Sequence, residues 1–334
     1  MKVFALVVVL LHSLGLFAVG NDVAMAMRRG ADVRLELHVV DDLGNAVPQA
    51  EVYGGFAMGG GLNDGVTISG RTDDNGVFVV KGRCKLFVQL QVFKEGFYRW
   101  SRKFDYAGSP KGASVVDGKW QPYGEVVVVV LDRKKNPISM PGVYGRPEIK
   151  IPAFDQWLDF DLENGSWLPP FGKGRFSDVQ LKFSHVVRTN KYFDFKATME
   201  VSFTNNLYAG AYVMKRRSYS TLPTVYEADT NQTYLTSFKF EVDINRQNRR
   251  QCLLGDDEYM VFRTRTTVDD EGRLISAHYG KILGRWGFSK IMAADQMCIN
   301  PKPNDLNIED RALADSDDRD IRQTREILGK GLLK

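Results

Sequence analysis

Period-two alternation of apolar and polar residues runs through most of this chain and restricts its fold more than any other feature. Val33, Leu35, Leu37 and Val39 alternate with Arg34, Glu36 and His38. The pattern returns at Leu86, Val88, Leu90 and Val92, and at Leu158, Phe160 and Leu162. It runs longest through Phe193, Phe195, Ala197, Met199, Val201 and Phe203, and appears again at Phe238, Phe240, Val242 and Ile244. Neighbouring side chains of a strand point to opposite faces, so each run predicts a half-buried strand. Turn chemistry separates the runs, at residues 41–45, 71–76 and 269–272, rich in Asp, Asn and Gly, and at Glu95-Gly96. Residues 126–131 are apolar without alternation, which predicts a strand covered on both faces. Short strands with turns between them predict an all-β fold.

The length of 334 residues suits two domains. The strand pattern places one antiparallel β-sandwich over residues 30–132 and a second all-β domain over 153–310. Between them, residues 133–152 are polar and carry Pro137, Pro141, Pro147 and Pro152, which reads as an extended linker. Residues 311–334 are highly charged and poor in aromatics. Ser316 is placed to cap a helix over 317–328 with Asp317 and Asp318 at its positive end. Only Ile321, Ile327 and Leu328 give it an apolar face, so a loosely attached helix or a disordered tail is expected.

Three segments of the first domain carry a resemblance. Residues 39–52 (Val39-Val40-Asp41-Asp42-Leu43-Gly44-Asn45 and onward to Pro48 and Val52), residues 70–78 (Gly70-Arg71-Thr72-Asp73-Asp74-Asn75-Gly76-Val77-Phe78) and Lys94-Glu95-Gly96-Phe97-Tyr98 follow one another in order. Together they resemble carboxypeptidase regulatory-like domains. The resemblance implies a transthyretin-like sandwich and an accessory module, not peptidase activity. Residues 157–178 and 277–307, with Trp167-Leu168-Pro169-Pro170-Phe171-Gly172-Lys173-Gly174 and Tyr279-Gly280-Lys281, look like a poorly characterised bacterial all-β family that carries such a domain in front. That second resemblance implies architecture only.

The amino terminus predicts export. Lys2 precedes the mostly apolar residues 3–19, and small residues follow at Ala18-Val19-Gly20 and Ala24-Met25-Ala26. Residues 1–26 therefore read as a signal peptide, with a mature start near Asn21 or Met27. The apolar stretch, broken by His12-Ser13, is short for a membrane span, and no later segment approaches one. A periplasmic or extracellular location follows. Net charge is +4, too weak to imply a nucleic-acid partner, and Lys215-Arg216-Arg217 and Arg249-Arg250 form no sustained stripe. Export permits disulfides. Of Cys84, Cys252 and Cys298, the last two share a domain and are the candidate pair; three buried free thiols are the alternative.

Chemistry-bearing motifs are sparse. The glycine run at residues 54–61 lacks the Gly-Lys-Ser/Thr and helix of a phosphate loop. Asp73-Asp74-Asn75-Gly76 resembles part of a calcium loop, but Arg71 and Gly82 stand where two oxygen ligands are needed. Beyond the amino terminus the histidines are His38, His185 and His278, widely spaced and outside any zinc-peptidase motif. No metal ligand set, cofactor or catalytic residue is therefore assigned. Asp159, Asp161 and Glu163 alternate on one strand and read as a solvated face, because neighbours on one strand do not oppose each other across a bond. Trp157, Trp167 and Phe171 are the candidate ligand-binding residues, since exposed rings stack on sugars or proteins.

The sequence thus predicts an exported, non-catalytic binding or structural protein of the bacterial envelope, with a glycan or an envelope protein as partner. Two alternatives stand beside it. One is an envelope enzyme using carboxylates of the second domain. The other is an assembly subunit whose β-edges pair with partners.

Overall fold

A computed structural model describes residues 21–331 apart from 60–65, 109–111, 189–193, 204–206, 246–248, 253, 285 and 289–290. The fold is all-β with one helix at each end of the described chain. It divides into two compact units, Met1–Arg133 and Lys134–Lys334.

The first unit contains helix α1 (Asn21–Arg29) and strands β1 (Ala31–Asp41), β2 (Glu51–Phe56), β3 (Val66–Arg71), β4 (Val77–Cys84) and β5 (Phe87–Phe93). It continues with β6 (Trp100–Asp105), β7 (Val115–Val116), β8 (Lys119–Trp120) and β9 (Glu125–Leu131). One sheet runs β4-β1-β8-β7, with β9 also on β1; the other runs β3-β2-β5-β6. Leu35, Leu37 and Val39 from one sheet and Val88, Leu90 and Val92 from the other share a single core. This is the β-sandwich that the alternation demands, though not a wholly antiparallel one, since β8 and β9 pair with β1 in parallel. Val23 and Ala26 of α1 belong to the same core, so residues 21–26 are part of the folded unit.

Two expectations are corrected in this unit. Gly54 and Gly55 lie inside β2, not in a loop; a Cβ on Gly54 would meet the Gln89 carbonyl oxygen at 2.0 Å, so close strand approach requires the glycine. Residues 126–131 are covered on one face only. Val127, Val129 and Leu131 are buried, while Val126, Val128 and Val130 face outward and are exposed. A run of valines hides its alternation from a polarity reading, because both faces carry the same side chain.

The second unit contains β10 (Gly142–Tyr144), β11 (Ile149–Lys150), β12 (Trp157–Asp161), β13 (Ser166–Trp167), β14 (Val179–Val187), β15 (Phe195–Ser202) and β16 (Gly210–Lys215). Then follow β17 (Ser237–Ile244), β18 (Arg249–Cys252), β19 (Glu258–Val268), β20 (Leu274–Leu283), β21 (Gly287–Phe288), β22 (Ile291–Ala293), β23 (Gln296–Ile299) and helix α2 (Arg311–Gly331). A six-stranded sheet, β13-β12-β14-β15-β17-β18, faces a five-stranded one, β10-β23-β20-β19-β16. Phe160, Leu181 and Met199 of the first meet Met260, Phe262 and Ile282 of the second in one core. The five-stranded sheet has a second buried face, where Tyr259, Val261 and Cys298 pack with Ile308 and Ala228.

Residues 134–152 are not a linker. β10 pairs with β23 and β11 with β22, both antiparallel. The Glu309 carboxylate accepts the amides of Lys135 and Asn136, and Ile138 bridges Asp310. Proline lacks an amide hydrogen but keeps its carbonyl, and Pro141 uses that oxygen to accept from Ile299. The tail forms the expected helix, over Arg311–Gly331, but its cap and its attachment differ from expectation. Asp310, not Ser316, caps α2 by accepting from the Ala312 amide at 3.1 Å. Ala314, Asp317 and Ile321 line its buried stripe, and Lys134 holds Asp317 and Asp318. A charged residue in that stripe concealed the docking face.

Candidate functional site

The strongest assembly of charged and aromatic groups surrounds residues 162–178, the segment that joins β12 to β14 through the short β13. Its underside is built from three carboxylates and one guanidinium. Asp161 is fully buried. It accepts hydrogen bonds from the amides of Glu163, Asn164, Arg175 and Phe176 and from the Asn164 side chain. Both ends of the segment are therefore tied to one carboxylate. Asp178, also fully buried, accepts from the Leu162 amide and receives the Arg265 guanidinium in a two-point contact. Arg265 also reaches Glu163, and its Nη2 lies 3.5 Å from Asp161 Oδ1.

Arg265 is aimed by a defect in its ladder. Thr264 pairs with His278 and Thr267 with Ser276, so Arg265 and Thr266 together oppose Ala277. The bulge places Arg265 at φ +49°, in the left-handed region that non-glycine residues rarely occupy. The guanidinium then packs 3.9 Å from the centre of the Phe176 ring.

The two buried acids have opposite protonation tendencies. Burial pushes Asp161 upward, but the amides of Arg175 and Asn164 outweigh it and hold the carboxyl below its ordinary range. Burial pushes Asp178 above the ordinary range despite Arg265. Asp159 stands apart on the same strand, accepting from Ser177 and Gln180. The solvated face expected at Asp159, Asp161 and Glu163 is thus corrected: Asp161 is sealed in, and it and Glu163 converge on an arginine far away in sequence.

Above this base the segment is fixed and its outer residues are exposed. Trp167 is buried at 5% exposure, donates from Nε1 to the Lys150 carbonyl, and packs edge-on against Phe160 and Phe183. Lys173 and Gly174 amides return to Ser166 and Trp167. A Cβ on Gly172 would strike the Trp167 carbonyl oxygen at 2.3 Å, so that close approach requires glycine. Phe171 and Phe176 each remain 47% exposed, and Lys173 and Arg175 between them are also exposed.

The three candidate ligand residues are therefore separated in role. Trp157 is exposed on the outer face of β12, with Lys182 Nζ 5.9 Å from its ring centre. Trp167 is a core anchor, buried against Phe160 and Phe183, and offers a ligand no exposed face. Phe171 lies at the exposed part of the segment. No pattern in the sequence marks Phe176, Asp178 or Arg265 as parts of one site. Phe176 lies two residues beyond the segment 167–174; Arg265 lies 87 residues from Asp178, with no local signal to join them. Cys298 is a buried free thiol that accepts from Gln296, so the expected bridge to Cys252 is not formed in this structure; the Cys252 side chain lies outside the described residues. Its neighbour across the ladder is Lys281, in a separate sheet from β18. The histidines stay apart: His38 meets Glu36, His185 stacks on Phe195 and His278 meets the Asn300 carbonyl. Among the described residues, no group of three or more His, Cys, Asp or Glu is placed to hold a metal ion, and no helix is long and apolar enough to cross a membrane.

No family model and no curated protein matches the chain. Solved structures give faint likenesses. The 3-chlorocatechol 1,2-dioxygenase of Rhodococcus opacus 1CP is 11% identical over 32% of this chain and 62% of its own, with a TM-score of 0.26. The chlorocatechol 1,2-dioxygenase of Pseudomonas putida is 14% identical over 31% and 61%, also at 0.26. BcpA, the major pilin subunit of Bacillus cereus, is 10% identical over 83% and 97%, at 0.21. The chain thus spans less than two thirds of either dioxygenase, and likenesses of this size define neither a shared fold nor a shared site.

Proposed function

We propose that this chain is an exported, non-catalytic binding protein of the bacterial envelope, and that residues 162–178 recognise an acidic glycan. One observation carries the reading: Phe171 and Phe176 are exposed on a segment clamped from beneath by Asp161, Asp178 and Arg265. Exposed rings stack on sugar faces. Lys173 and Arg175 supply cations beside the rings for carboxylate or sulfate groups. A clamped segment loses little freedom on binding, so more of the contact energy appears as affinity. Within this cluster Asp161 is engaged by backbone amides and Asp178 by Arg265, which favours binding over catalysis here. The apolar amino-terminal stretch and the small residues after it support export. The first unit is proposed as an accessory module of carboxypeptidase regulatory-like type.

The test is retention of the full chain on immobilised acidic and neutral polysaccharides, run beside capture from an envelope extract. Retention on acidic polysaccharide supports the proposal. Capture of a protein partner with no polysaccharide retained would replace the glycan with a protein.

A further inference from the structure

The outer face of β12 carries a line of side chains away from the clamped segment. Trp157, Asp159 and Asp161 alternate with the core residues Leu158 and Phe160, so all three point to that face. Asp161 is covered there by the segment itself, whose Arg175 and Phe176 amides donate to it at 2.7 and 3.2 Å. Next along the strand, Asp159 accepts from Ser177, the neighbour of Phe176, and from Gln180 directly across on β14. Trp157 comes last, opposite Lys182. Its ring is 45% exposed, with Lys182 Nζ 5.9 Å from the ring centre. A strand advances about 3.3 Å per residue, which sets the Trp157 and Asp161 positions about 13 Å apart. Two exposed aromatic rings, Phe176 and Trp157, therefore stand at the two ends of one continuous polar strip.

We infer that this face extends the site into a track for a linear acidic glycan, running from Phe176 past Asp159 and Gln180 to Trp157, a step that rests on the glycan reading of residues 162–178. The spacing selects a chain over a single sugar. One sugar ring covers only one of the two aromatic platforms, whereas a chain stacks on both, and the second contact then forms within an existing complex. Charge selects an acidic chain. Arg175 stands at one end and Lys182 at the other, and among the described residues neither forms an ion pair. The one acid along the line, Asp159, is already held by Ser177 and Gln180. Glu200, opposite Lys182 on β15, bounds the track on its far side and keeps an acidic chain along β12. Between the ends, Asp159 and Gln180 supply the acceptors and donors that sugar hydroxyls use.

Titration of the full chain with length-graded oligomers of polygalacturonate and of dextran sulfate tests it, with polyglutamate as an acidic chain that has no sugar face. Affinity for one of the two sugar series is expected to rise roughly tenfold once the oligomer is long enough to reach both rings. Trp157→Ala removes that rise, leaves the shortest oligomers bound as before and keeps the melting temperature. Trp157→Phe, which retains a flat ring, restores most of the rise. If Trp157→Ala fails to fold, Lys182→Gln decides, and it should weaken the long oligomers alone. A length-dependent rise that survives these substitutions overturns the track and leaves the glycan reading of residues 162–178 standing. So does short-oligomer binding with no rise at all. Polyglutamate bound as tightly as the long sugars, or no sugar bound at any length, overturns both.

Discussion

Arg265 grips Asp178 at two points, Nε to Oδ1 at 2.7 Å and Nη2 to Oδ2 at 2.9 Å, and both oxygens lie in a fully buried side chain. The same guanidinium is shared with Asp161 and Glu163. Removing it leaves two buried acids without their cation. Arg265→Met is expected to cost about 3–5 kcal/mol in urea unfolding. A loss below about 1 kcal/mol would place the cluster with ordinary surface ion pairs.

Trp157 and Trp167 occupy neighbouring stretches of one sheet and are expected to respond in opposite ways. Trp167→Ala removes a buried ring that touches Phe160 and Phe183, at a cost of about 3–5 kcal/mol. Trp157→Ala alters an exposed ring and should stay within about 0.5 kcal/mol. Thermal melting of the two variants checks this; equal losses would contradict the burial difference.

Lys281 carries a pH signature. It is fully buried, donates to the Ile308 carbonyl at 2.6 Å, and burial holds its pKa below the ordinary lysine value. The unfolded chain then binds the proton more readily than the folded one. Stability from this residue therefore rises with pH between the depressed folded pKa and the ordinary unfolded one. The Cys298 thiol opposite, pushed up to about 12 by burial, acts in the other direction. The difference between wild type and Lys281→Met isolates the lysine. The variant should be more stable at neutral pH, by about 1–4 kcal/mol, and this advantage should shrink as pH rises. A difference independent of pH would contradict the account.

Processing of the amino terminus is expected before Asn21. Val23 and Ala26 pack into the core of the first unit, so a cut before Met27 would delete folded residues. Mass measurement of the mature amino terminus in a secreting host decides between the two sites. A start at Met27 in a stable protein would show that α1 is dispensable.

Strand identity was legible wherever polarity alternates, as along β1, β14 and β15, because one face meets a core and the other meets water. At β9 the strand was legible but its exposed face was not, because valine fills both faces. Residues 134–152 looked like a linker because proline breaks interior strands, yet edge strands tolerate it. At the site, Trp167 and Phe171 were visible as residues but not as anchor and exposed tip. That distinction depends on which ring the Lys150 carbonyl holds. The Arg265 clamp was invisible, since it requires a bulge in β19 that brings the side chain onto a distant aspartate.

Binding by the clamped segment is proposed to run through its exposed rings. Its most direct test is titration of the retained acidic polysaccharide against wild type and Phe171→Ala, with melting temperature recorded on the same samples. Phe171 is 47% exposed, so the fold should be indifferent to the change. Affinity is expected to weaken roughly tenfold, about 1.4 kcal/mol, at an unchanged melting temperature. Unchanged affinity at an unchanged melting temperature would contradict it.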